Sequence, residues 1–87
     1  MKLLKDILYG ARITQVIGST HIAVESVVSD SRQVKPFGCF VAISGTTVDG
    51  HEHIPSAIRS GAAAVVCETL PSPDDISDQV VYIQVES

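Results

Sequence analysis

The sequence has few of the residues with which proteins bind nucleic acid. Only 6 of its 87 residues are Lys or Arg, and they form no cluster. Aromatic side chains that could stack on bases are limited to two Tyr and two Phe. The net charge of -4 is a mild acidic excess that mainly favours solubility. We therefore expect no nucleic acid partner.

Long apolar runs are also missing. No stretch approaches the ~20 residues that a helix needs to cross a bilayer. Lys5 and Asp6 interrupt the apolar residues near the N-terminus, where a signal peptide would need a continuous run. We therefore expect a cytoplasmic protein with no membrane partner.

Cysteine is scarce, with Cys39 and Cys67 far apart in the sequence and each inside an apolar run. They lack the short paired spacing of a zinc site or a redox motif. This pattern is typical of buried, reduced thiols.

The remaining composition is that of one small globular domain, with 45% hydrophobic and 18% charged residues. Apolar periodicity and turn residues predict helices over 3–8 and 53–60 and strands over 22–28, 39–43, 63–67 and 80–85. Residues 11–18 fit either a strand or an irregular turn, and 71–75 form a loop. The fold class is α/β, with a small mixed or parallel sheet of four to five strands, two main helices and one strand-helix-strand crossover. Because the chain ends directly after the last predicted strand, we expect a fragment of a longer protein.

Two polar loops follow two of the predicted strands. The first is Ser29-Asp30-Ser31-Arg32, and the second runs from Ser44 to Gly50. Ligands in open α/β sheets bind beyond the carboxyl ends of the strands, so parallel strands would bring both loops to one edge. Hydroxyls and backbone N–H groups there would suit a phosphorylated, sugar-bearing ligand, and Arg32 could pair with phosphate oxygens. Ordinary turn chemistry is the alternative, with Asp30 bonding loop amides and Asp49-Gly50 forming a tight turn.

Other catalytic and metal motifs do not fit. His51 and His53 are two residues apart and have no third ligand nearby, so His51-Glu52-His53 is interpreted as a loop that enters a helix. Ser31 lies in no Gly-x-Ser-x-Gly motif, and Gly45-Thr46-Thr47 has no Gly-Lys-Ser/Thr. We expect no catalytic residue and no metal site in this chain.

An ordered series of short motifs over roughly residues 22–68 resembles the N-terminal domain of the Mur ligases, which extend the peptide of peptidoglycan precursors. The matching elements are Asp30-Ser31-Arg32, Phe40-Val41-Ala42, Gly45, Asp49-Gly50, Ala57-Ile58 and Gly61-Ala62. Within the family, the sequence is most similar to the members that add the third peptide residue. Members that add the terminal D-Ala-D-Ala dipeptide are the first alternative, and a stand-alone α/β interaction module is the second.

The resemblance implies that residues 1–87 hold the UDP end of a UDP-MurNAc-dipeptide substrate. The positions that match the family's substrate contacts are Ser29, Ser31, Thr46, Thr47 and Val48, with Asp30, Arg32, Gly45, Asp49 and Gly50 in support. It also implies an ATP-dependent amide ligase in which ATP, Mg²⁺ and the incoming amino acid bind central and C-terminal domains outside this chain. This chain would then bind substrate without catalysing the reaction.

One position departs from the family pattern. The family usually has its turn glycine where this chain has Phe37, and Gly38 follows. We therefore expect the loop that enters the 39–43 strand to bend differently.

Overall fold

The computed structural model describes residues 2–42 and 49–86 as a mixed α/β fold with two sheets. Its strands are β1 (Lys2–Leu3), β2 (Ile13–Ile17), β3 (Ala23–Val24), β4 (Val27–Val28), β5 (Cys39–Val41), β6 (Ala64–Cys67) and β7 (Val81–Val85). Its helices are α1 (Leu4–Ile7) and α2 (Ile54–Arg59), and 3-10 turns lie at Ser31–Gln33, Gly50–His53 and Pro73–Asp75. None of these helices is both long enough and apolar enough to cross a membrane.

The main sheet has the strand order β2-β7-β6-β5-β4. Strands β4 to β7 run parallel, and β2 pairs antiparallel with β7 at one edge. The ambiguous 11–18 segment is therefore a strand. The predicted fold class is confirmed, because α2 connects the parallel neighbours β5 and β6. In the second, smaller sheet, β1 pairs with β3.

Both faces of the main sheet are packed along its central strands. Phe40, Val65 and Tyr82 pack with Ile54 and Ala57 on the α2 face. The opposite face packs against α1, in a cluster of Leu4, Leu8, Val24, Cys39, Ala64, Val66 and Ile83. All four residues of β6 are buried, as its continuous apolar run predicts for a central parallel strand.

The two cysteines lie in different clusters, Cys39 on the α1 face and Cys67 on the α2 face. Both are buried and free, as the sequence predicts. Burial disfavours the charged thiolate, which raises the pKa of each thiol to about 11.

The prediction of one strand over 22–28 is wrong. The segment breaks at Glu25 and Ser26, so that β3 joins the small sheet and β4 the main sheet. The Glu25 N–H donates to the carbonyl of Phe37 at 2.9 Å, and the Ser26 carbonyl accepts from the Cys39 N–H at 2.7 Å. The break coincides with two consecutive polar residues, Glu25 and Ser26, which interrupt the apolar residues of this segment.

The turn before β5 has an unusual backbone at Phe37. Its φ of 66° lies in the left-handed region, where glycine is the usual residue. A Cβ in this region costs roughly 1–2 kcal/mol, and the Phe37 side chain is 65% exposed. The chain thus has a strained turn at the position where the family pattern has glycine.

Candidate functional site

The parallel pairing of β4 with β5 places their carboxyl ends side by side. Val28, the last residue of β4, is in register with Phe40 of β5. Ser29 to Arg32 leave the sheet at this edge, which is also where the chain leaves β5. The parallel strand ends that the two-loop hypothesis requires are therefore present. We call this region, formed by residues 29–33 and 49–53, the carboxyl edge.

The predicted residues of the second loop are only partly described. Ser44, Gly45, Thr46, Thr47 and Val48 lie outside the described residues, so their predicted roles stay predictions. The description resumes at Asp49, which is exposed, and Gly50, which is half-buried.

Asp30 organises the first loop. Its carboxylate accepts the backbone N–H of Arg32 at 2.9 Å, which starts the Ser31–Gln33 turn. The side chain of Arg32 folds back onto the same carboxylate, with Nε 3.0 Å from Oδ1 and Nη2 2.8 Å from Oδ2. These bonds from Arg32, side chain first and backbone second, lower the pKa of Asp30 to about 2, and the pKa of Arg32 is raised in turn.

The forked pair leaves Arg32 at the surface. Its side chain is 87% exposed while it contacts Asp30, so the cation points along the edge rather than into the fold. The predicted turn chemistry is confirmed for Asp30, which accepts a loop amide, whereas the pairing of Arg32 with phosphate oxygens stays a prediction. Ser29 is exposed and Ser31 is half-buried.

His51 links the second loop to the end of β6. Its Nδ1 lies 2.7 Å from Oδ1 of Asp49, which also accepts the His51 backbone N–H at 2.9 Å. On the other side of the ring, Nε2 accepts the backbone N–H groups of Glu68 at 3.0 Å and Thr69 at 3.2 Å. The bonds from His51, backbone first, lower the pKa of Asp49.

These partners assign the tautomer of His51. Because Nε2 faces two N–H donors it must be unprotonated, and the ring proton is on Nδ1, where it donates to Asp49. The interpretation as a helix-entry loop is confirmed, since the Gly50–His53 turn leads directly into α2. Within 2–42 and 49–86, no group of three or more His, Cys, Asp or Glu residues is arranged to hold a metal ion.

The two halves of the edge adjoin each other. The pKa of Asp30 is lowered chiefly by Arg32, with the smallest contribution from His53. The Ser31–Gln33 turn also packs against α2, which follows His53 directly. The turns after β4 and before α2 therefore form one continuous surface.

A separate apolar cavity of about 410 Å³ lies between α2 and the loop after β6. It is lined by His51, Ile54, Pro55, Ile58, Thr69, Leu70, Pro71, Asp75 and Ser77. The sequence analysis did not predict this cavity. A usable signal was the apolar pair Leu70 and Pro71 in the loop after β6, which could face the apolar side chains of the predicted helix. The apolar walls and single carboxylate of this cavity are unsuited to a pyrophosphate. The polar carboxyl edge is therefore the better candidate for an anionic ligand.

The fold is an open α/β sheet with polar side chains at the carboxyl edge of neighbouring parallel strands, the place where ligands bind in such sheets. Comparison with known families gives a more specific result. A family model described as "Mur ligase family, catalytic domain" matches residues 23–87. The chain belongs to the Mur ligase family.

Curated relatives agree with this assignment. Over 82 residues, the chain is 42% identical to the UDP-N-acetylmuramoyl-L-alanyl-D-glutamate--2,6-diaminopimelate ligase of Bacteroides fragilis, covering 94% of this chain and 16% of that protein. The same ligase of Chlorobaculum tepidum is 45% identical over 62 residues, which are 71% of this chain and 12% of that protein. This chain thus spans less than a fifth of the length of these relatives.

Solved structures show the same fold. The MurF ligase of Thermotoga maritima in complex with ADP matches with a TM-score of 0.61 and 34% identity, covering 74% of this chain and 14% of that one. MurF from Acinetobacter baumannii matches with a TM-score of 0.59 at 19% identity, covering 71% and 13%, and supports the fold alone.

Proposed function

We propose that this chain is the N-terminal, uridine-nucleotide-binding domain of an ATP-dependent amide ligase. The full ligase would add the third amino acid to UDP-MurNAc-L-Ala-D-Glu in peptidoglycan synthesis. The observation that carries the proposal is the parallel pairing of β4 with β5, which brings the carboxyl ends of both strands to one edge, where Ser29 to Arg32 follow β4. The names of the curated relatives support this substrate and this step.

The chemistry of the edge suits the UDP end of such a substrate. Ser29 and Ser31 can donate hydroxyl hydrogen bonds to ribose or phosphate oxygens. The exposed guanidinium of Arg32, held in a fixed direction by Asp30, would place a positive charge beside the diphosphate. Thr46, Thr47 and Val48 are proposed to contact the uracil, through backbone groups in part.

The role of this domain in the reaction is positional. By holding the nucleotide, it would fix the far end of the substrate, so that the reacting carboxylate is oriented for chemistry elsewhere in the ligase. ATP supplies the phosphoryl group that activates a carboxylate in such ligases. This sequence has no phosphate-binding loop, so we place ATP, Mg²⁺ and the amino-acid pocket in the part of the ligase beyond residues 1–87.

The test is a titration of the ¹⁵N-labelled chain with UDP, with UDP-MurNAc-L-Ala-D-Glu and with ADP. Amide shifts should change at 29–32 and 44–50 for both uridine ligands and much less for ADP. Ser31→Ala should weaken UDP binding by about tenfold, the effect of losing one hydrogen bond to a charged group. Ser72→Ala, in the loop after β6, is the matched control. Saturating UDP without shifts at these residues would refute the nucleotide site and favour the stand-alone interaction module.

A second candidate is the ligase that adds the terminal D-Ala-D-Ala dipeptide. It is favoured by the similarity to MurF of Thermotoga maritima. Because amino-acid selection would lie outside this chain, the assay requires the whole ligase. Product formation from UDP-MurNAc-L-Ala-D-Glu with diaminopimelate or lysine supports the first candidate, whereas product only from the tripeptide with D-Ala-D-Ala supports the second.

A further inference from the structure

His51 lies within the carboxyl edge and connects it to the end of β6. It lies in the Gly50–His53 turn that precedes α2, and its Nε2 faces the backbone at the end of β6. Its side chain is only 14% exposed, and both ring nitrogens are hydrogen-bonded. A polar ring so fully engaged fixes the positions of the groups around it.

The two sides of the ring contact different parts of the fold. Nδ1 bonds to Asp49, another residue of the carboxyl edge. Nε2 bonds to the backbone of Glu68 and Thr69, which continue the central strand β6. The backbone of a buried central strand is among the most rigid parts of a domain. The ring therefore fastens a surface turn to the two residues that directly follow such a strand.

A packed route leads from this turn to the serines of the first loop. The Gly50–His53 turn continues into Ile54, which is buried in the same cluster as Val34. Val34 immediately follows the Ser31–Gln33 turn. A displacement of the Gly50–His53 turn would therefore reach Ser31, and Asp30 directly before it, through α2.

We propose that His51 is a positioning residue of the carboxyl edge. Its ring holds Asp49 and the Gly50–His53 turn against the end of β6, and it thereby keeps Ser31 and Asp30 in place for the ligand. This inference rests on the proposed uridine-nucleotide function. It assigns His51 a role through neighbouring residues and no contact with the nucleotide.

Two conservative variants separate the two sides of the ring. In His51→Asn, the side-chain amide reaches the position of Nδ1 and keeps a donor for Asp49, but the acceptor for Glu68 is lost. In His51→Gln, the side-chain oxygen reaches the position of Nε2 and keeps the acceptor for Glu68, but the donor for Asp49 is lost. If attachment to β6 is what positions the edge, Gln should replace His better than Asn.

The first experiment measures UDP affinity by amide shifts in the ¹⁵N-labelled chain. His51→Asn should weaken UDP binding about five- to tenfold, since one or two backbone N–H groups lose their acceptor, whereas His51→Gln should stay within about twofold of wild type. His21→Ala, which removes an exposed histidine in the 20–22 segment, should change nothing. Equal affinity of wild type and His51→Asn would overturn the inference.

A second measurement uses the protein without ligand. A long-range ¹H–¹⁵N spectrum should show the His51 ring protonated at Nδ1 and unprotonated at Nε2. In His51→Asn, the amides of Asp30, Ser31 and Arg32 should shift together with those of Glu68 and Thr69. If only Glu68 and Thr69 shift, His51 is a local structural contact and the inference is wrong. If wild type does not bind UDP at all, the proposed function fails instead, so the two failures are distinguishable.

Discussion

The backbone N–H of Phe37 donates to the carbonyl oxygen of Gly61 at 2.9 Å, and both residues have positive φ, 66° and 104°. These residues lie in the loops that enter the adjacent strands β5 and β6. The glycine adopts its conformation without strain, whereas the phenylalanine does not. The contact joins a relaxed and a strained turn at the amino ends of the two strands.

Replacing Phe37 by Gly should therefore stabilise the domain. Relief of the left-handed conformation, roughly 1–2 kcal/mol, should exceed the entropic cost of a new glycine, roughly 0.5–1 kcal/mol. Little burial is lost, because the Phe37 side chain is 65% exposed. Urea unfolding should give a gain of about 0.5–1 kcal/mol. Phe37→Val should instead lose stability, and a stabilised valine variant would contradict the argument.

Gly61→Ala should be strongly destabilising. An added Cβ would lie 2.8 Å from the Cα of Pro36, a backbone atom that cannot move away cheaply. Because Gly61 also has a positive φ, we expect the free energy of unfolding to fall by more than about 2 kcal/mol. Gly10→Ala is the matched control, since Gly10 also has positive φ, 85°, but nothing lies within 4 Å of its added Cβ. Similar losses for both variants would show that the close approach to Pro36 is unimportant.

Tyr82→Phe tests the support of the loop after β6. Tyr82 is fully buried, and its hydroxyl accepts the Ser77 N–H at 2.9 Å. Removing the hydroxyl leaves that N–H without its acceptor, which should cost about 1–3 kcal/mol in thermal or urea unfolding. Tyr9→Phe should have no measurable effect, because Tyr9 is 93% exposed. Faster hydrogen exchange at Ser77 in the Tyr82 variant would identify the bond that was lost.

The stability of the domain should depend on Asp30 at acid pH. The pKa of this carboxyl is lowered from 3.8 to about 2 by Arg32, so the folded state favours the ionised form. Its stabilising contribution is therefore complete above pH 3.8 and disappears as the pH falls through about 2. In a ¹³C titration of the carboxyl carbon, Arg32→Gln should move the midpoint up toward 3.8. An unchanged midpoint would mean that the forked pair does not form in solution.

The sequence was most informative where one physical effect dominates. Continuous apolar runs predicted the buried strands β5 and β6, and Pro55 followed by Gly61 bounded α2 correctly. It failed for 22–28, because the choice of sheet is made by the backbone bonds of Glu25 and Ser26 and not by side-chain periodicity. For the candidate site it predicted that Ser29 to Arg32 follow a strand that runs parallel to its neighbour, as the structure has it, while their role in binding stays a prediction. It did not indicate the His51 bonds, since Glu68 and Thr69 contribute backbone groups that any residue could supply.

The antiparallel edge of the main sheet also bears on how the domain is synthesised. Ile13 is in register with Val85, so these paired strands are more than seventy positions apart in the sequence. On the ribosome, 13–17 must wait without a hydrogen-bonding neighbour until 81–85 has emerged from the exit tunnel. The sheet is therefore completed late and in one step, and a nascent chain stalled before that point would expose an uncharged β-forming segment to aggregation.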